Sequence, residues 1–187
     1  MMEGEYYLQG QREMASGFLF KPGGVFQFFF SYGALDRHGE GKWELQEGRI
    51  LLNSKPKPSS DFTLVKSIAK PGDLVRVKME AGNPALLRNV FCSLENGKQD
   101  SWKQMTQDGI VDFPKQKITT ISMLLEFCPE RFSTVPVKEQ DHTEFMFRFE
   151  PSIMEVFFDN FTLQVEPGGL FGNHPLLEGG EFRYMKQ

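Results

Sequence analysis

The chain has 187 residues, 40% of them hydrophobic and 25% charged, and a net charge of −4. That is long enough for one large or two small domains with a sizeable core, and too apolar for a disordered chain. The acidic balance, with no basic tract, argues against a nucleic-acid partner, and no apolar run of about 18 residues predicts a membrane-spanning helix.

Nineteen Phe, 18 Gly and 11 Pro point to an all-β chain with many turns. The opening residues MMEGEYYLQG lack the charged and apolar regions of a signal peptide. The expected location is therefore the cytoplasm, or outside it with a leader absent from this sequence.

Residues 5–9 and 12–20 read as strands, and Lys21-Pro22-Gly23-Gly24 as a turn. In the strand over 25–32, Phe26, Phe28, Phe30 and Tyr32 share one face by the two-residue period. Residues 33–41 are polar and glycine-rich and are expected to form a loop. Strands over 42–46 and 49–53 flank a tight Glu47-Gly48 turn.

The segment 54–60, rich in Pro and Ser, reads as a linker or long loop, and 62–68 as a further strand. Alternation of Val75, Val77 and Met79 with Arg76 and Lys78 opens a second β unit. It continues through 89–94, 101–105, the turn Thr106-Gln107-Asp108-Gly109 and 110–113. Residues 118–128 fit both a strand and a helix, and the threonines with the following Pro129 favour the strand. Cys92 and Cys128 are too few for a disulfide framework and are expected as buried thiols.

Phe145, Phe147 and Phe149 form another alternating row. Residues 153–158 and 161–165 flank Asp159-Asn160, a hairpin signal, and 181–186 closes the chain. The predicted organisation is split. Residues 1–68 and 140–187 form a meander barrel or sandwich, closed by pairing of its two ends, and 70–137 form an inserted small β-sandwich. The aromatic rows from both ends are expected to share one interior.

The order Arg12 to Phe18, then Tyr32-Gly33-Ala34-Leu35-Asp36, then Gly41-Lys42-Trp43, resembles a group of uncharacterised bacterial proteins. The meander with its Gly-x-Trp strand is similar to lipocalin-like barrels. The turn at 106–109 followed by Ile110-Val111-Asp112-Phe113 resembles transthyretin-like or carboxypeptidase-regulatory-like sandwiches. These resemblances imply scaffolds for structure or binding and no activity.

No nucleophile-elbow, P-loop, dinucleotide, zincin or C-x-x-C pattern occurs. Three histidines, His38, His142 and His174, lie in polar segments and do not predict a metal site. No cofactor is expected. The candidate ligand-binding residues are Glu13, Phe28, Phe30, Tyr32, Asp36 and Trp43. Glu13 reads as a half-buried carboxylate, and Tyr32, Asp36 and Trp43 flank the 33–41 loop. The leading functional expectation is a non-enzymatic binding or structural protein holding a small apolar or amphipathic ligand. The alternatives are a protein–protein module through the middle sandwich, and a hydrolase or isomerase using Glu13, Asp36 and His38.

Overall fold

A computed structural model describes residues 2–80, 83–94 and 101–187. Its strands begin with β1 (Gly4–Leu8), β2 (Met14–Lys21), β3 (Val25–Tyr32), β4 (Leu35–Gln46), β5 (Arg49–Asn53) and β6 (Phe62–Ile68). There follow β7 (Leu74–Met79), the short helix α1 (Pro84–Leu87), β8 (Val90–Ser93), β9 (Lys103–Gln104) and β10 (Ile110–Pro114). The last are β11 (Thr120–Leu125), β12 (Phe132–Pro136), β13 (Glu144–Phe149), β14 (Phe161–Glu166), β15 (Gly169–Gly172) and β16 (Phe182–Lys186). The protein is all-β, and no helix among the described residues is long and apolar enough to cross a membrane.

The chain divides into two units, residues 1–57 with 154–187, and residues 58–153. The first is a closed eight-stranded barrel in the order β1-β16-β15-β14-β5-β4-β3-β2, antiparallel throughout. Closure leaves no strand edge to pair elsewhere. The β4–β5 hairpin turns on Glu47 and Gly48, both at positive φ, 48° and 78°, as a two-residue hairpin loop requires.

Of the predicted loop over 33–41 only Gly33-Ala34 is a turn, and residues 35–41 are the first half of one long strand, β4. Its glycines are close-approach positions rather than turn positions. A Cβ on Gly39 would lie 2.6 Å from the Val156 carbonyl oxygen and 2.8 Å from the Phe158 ring. On Gly41 it would collide with the Asn53 carbonyl. Backbone crowding on a strand selects glycine just as a turn does.

The barrel interior is filled. Phe18, Phe20, Phe26, Phe28 and Phe30 point inward with Tyr6, Ile50, Leu52, Leu163, Leu170 and Tyr184. Phe158 enters the same core from outside the strands, its ring centroid 5.1 Å from that of Phe26 and 5.4 Å from that of Phe28. Residues 154–158 run beside β4, where His38 and Glu155 form a parallel bridge and the Val156 N–H donates to the His38 carbonyl at 2.7 Å. The hairpin expected at Asp159-Asn160 is therefore absent. β14 pairs with β5 and β15 rather than with 153–158.

The second unit holds two four-stranded sheets, β10-β7-β13-β6 and β12-β11-β8-β9, with β13 parallel to β7. The buried apolar side chains include Val75, Val77, Val111, Phe145 and Phe147 in one sheet and Cys92, Ile121, Met123 and Leu125 in the other. The residues 62–68 and 140–149, assigned to the barrel on their pattern, belong here as β6 and β13. Phe145 and Phe147 consequently lie in a different interior from Phe26 and Phe28. Period-two alternation says that a face is buried but does not say in which core. Cys92 and Cys128 are both buried within this unit; the Cys128 thiol donates to the Ile153 carbonyl at 3.2 Å, and burial pushes Cys92 up to about 12.

Candidate functional site

A filled barrel offers a ligand its ends and its outer wall. At one end the chain before β14 and the connection from β15 to β16 enclose an open cleft of about 520 Å³. Phe157, Phe158, Phe161 and Leu177 supply apolar walls, while Asp159, Asn173 and His174 supply polar groups. Antiparallel pairing brings these stretches together, because Phe161 faces Leu52 across β14–β5 and Gly172 faces Phe182 across β15–β16.

His174 anchors the cleft floor. It is buried, and its ring packs between Phe28, Phe30, Phe182 and Tyr184 with centroids 5.6 to 6.3 Å away. The Leu176 N–H donates to Nδ1 at 3.0 Å, so Nδ1 carries the lone pair. The proton therefore sits on Nε2, which donates to Ser16 Oγ at 3.0 Å, and Ser16 Oγ donates to the Phe29 carbonyl at 2.8 Å. Each ring nitrogen has its partner in the neutral form. Burial lowers the His174 pKa to about 4. Burial also pushes the adjacent Tyr184 phenol upward, so both groups are uncharged near neutrality.

The residues singled out from the sequence are dispersed. Phe28 and Phe30, at 2% and 6% exposure, are core residues beneath the cleft and not walls of a chamber. Tyr32 is 47% exposed where β3 ends. Asp36 is exposed and accepts a 2.6 Å bond from Ser31 Oγ on the neighbouring strand. Glu13 is exposed in the bend before β2, outside the half-buried strand expected for it. Trp43 lies eight residues along β4 from Leu35, toward the other end of the barrel. There its ring meets Phe20 edge-on at 5.6 Å, and its Nε1 donates to the Lys21 carbonyl at 3.3 Å. Because 35–46 is one extended strand, Tyr32 and Asp36 are separated from Trp43 by the length of the barrel wall.

Glu13, Asp36 and His38 share no hydrogen bond or ion pair among the described residues, and no group of three or more His, Cys, Asp or Glu there is placed to hold a metal ion. His174 and Phe158 were the residues that pattern reading missed. His174 sits among Gly, Asn and Pro, which look like solvent-exposed loop, and its burial arises from strands far away in sequence. No protein-family model, no curated protein and no solved structure matches this chain.

Proposed function

We propose that the barrel is a non-enzymatic binding unit that takes a small amphipathic molecule at its end cleft. The observation that carries this is the cleft itself. It is a concavity of ligand size, apolar along Phe161 and Leu177, with Asp159 and Asn173 at its polar side. The packed interior supports a ligand seated over the core and not within it. His174, held neutral and fully bonded, supports a role in shaping the floor and not in proton transfer. An up-and-down barrel of eight strands also suits the lipocalin-like reading of the sequence, as architecture alone.

The test uses 8-anilinonaphthalene-1-sulfonate with the folded protein, and native mass spectrometry of protein taken from its own host. Saturable fluorescence enhancement is expected, weakened by Leu177→Ser and by Asn173→Ala at unchanged near-ultraviolet dichroism. Folded protein that neither binds the probe nor carries a small molecule would sink the proposal. A contact role for the second unit is the other reading with an observation behind it. Phe132 there is 61% exposed and meets Trp102 edge-on at 6.3 Å.

A further inference from the structure

The outer wall of the barrel carries a second concavity, about 300 Å³, on the face of β1–β4. Strand register fixes its layout. One row across the sheet reads Glu5, Leu19, Gln27, Glu40, and the next reads Tyr7, Gly17, Phe29, His38. These side chains belong to the outward set, opposite the phenylalanine core.

Gly17, between Tyr7 and Phe29 in the second row, has no side chain, so the Phe29 ring lies against its backbone. A Cβ there would come within 3.0 Å of the Phe29 ring and still closer to the Tyr6 carbonyl. The Phe29 ring meets Tyr7 edge-on across that glycine, with centroids 5.7 Å apart. The Tyr7 hydroxyl donates to Glu5 Oε2 at 2.9 Å, which orients the carboxylate and raises the phenol's pKa. Glu40 stands at the other end of the same row, three strands away, about 14 Å between backbones. The cleft thus has an aromatic and aliphatic floor of Tyr7, Leu19 and Phe29 with a carboxylate at each end.

We infer that this groove binds a small organic cation, an ammonium or guanidinium group on an apolar body. The charge complementarity decides the class. Two carboxylates and two aromatic rings attract a cation, and a carboxylate or phosphate ligand would meet like charge at both ends. Lys21 and Lys42 lie one row further along the sheet, flanking Val25, and are not part of the groove lining. Gln27, between Leu19 and Glu40, supplies a neutral hydrogen-bonding group beside the cation's path.

This site stands apart from the end cleft and is tested separately. Backbone amide chemical shifts of the full chain are followed during titration with phenethylammonium, 2-phenylethanol and phenylacetate, three probes of similar shape and different charge. Saturable shifts at Gly17, Phe29 and His38 are expected with phenethylammonium alone, weakening as salt is raised. The surface double variant E5Q/E40Q should bind it about five-fold more weakly or worse with its fold intact. Lys42→Gln should leave binding equal or tighter. Shifts at Asn173 and Gly179 report the end cleft, so failure at one site is readable from failure at the other. Equal binding of 2-phenylethanol and phenethylammonium, unchanged affinity in E5Q/E40Q, or absence of saturable shifts at the groove would each overturn the inference.

Discussion

His174 is a base that the fold keeps neutral, and that makes stability depend on acidity. An unfolded histidine takes a proton near its ordinary value of 6.5, whereas folded His174 resists until about 4. Between those values the unfolded chain binds more protons, so stability falls as pH is lowered through the window and is fully present above it. The contribution at stake is on the order of 3 kcal/mol. Chemical denaturation at a series of pH values should show the loss between about 6.5 and 4, and His174→Gln should flatten that part of the profile. An unchanged slope in the variant would mean that other groups set it. His174 was invisible in the sequence for a plain reason: its partners Ser16, Phe28 and Phe30 are about 150 residues away, and loop composition around it says nothing of burial. Phe26, Phe28 and Phe30, in contrast, declare their shared buried face through spacing alone.

The long strand β4 and the segment 154–158 work as a pair. Gly39 leaves the space into which Phe158 reaches, and the bridge at His38 holds the segment in register. Phe158→Ala should therefore open a core cavity and cost about 3–5 kcal/mol in unfolding free energy. Gly39→Ala should also destabilise, because its Cβ meets the Val156 backbone, which cannot move aside as a side-chain tip would. Urea titration checks both, and a near-neutral Gly39→Ala would show that the segment is not seated as described. At this scale many strands and the Glu47-Gly48 turn were readable, including β11, where helix and strand periods competed, but the strand expected over 153–158 and its hairpin at Asp159-Asn160 do not form. The first half of β4 was not readable. Glycines at 39 and 41 look like a loop unless one already knows that another backbone lies against them.

For the whole molecule, the insertion of residues 58–153 between β5 and β14 is bracketed within the barrel by its own contacts. Lys55 Nζ lies 2.9 Å from Glu155 Oε2, and the Ser54 N–H donates to the Phe158 carbonyl at 2.8 Å. The chain thus leaves and re-enters the barrel at neighbouring points. Joining residue 57 to 154 through a short Gly-Ser link should give a folded, cooperative barrel with near-ultraviolet dichroism from its aromatic core. A shortened chain without that signal would show that the barrel depends on the second unit. That the two ends of the sequence meet in one barrel was legible from the need to close a meander. The limits of the insertion were not, since Phe145 and Phe147 advertise a buried face identical in pattern to that of the barrel strands.

The bracketed insertion also sets a timetable for biogenesis. A ribosome finishes β1–β5 about a hundred residues before it makes β14–β16, the strands that seal the cylinder. Throughout that interval the nascent meander keeps a greasy aromatic surface uncovered and two backbone borders unpaired, the condition in which chains associate wrongly. Shortening the wait shortens the exposure. The circularly economical version, with residue 57 joined to 154, should regain its structure from denaturant faster than the intact chain, because its sealing contacts span less sequence.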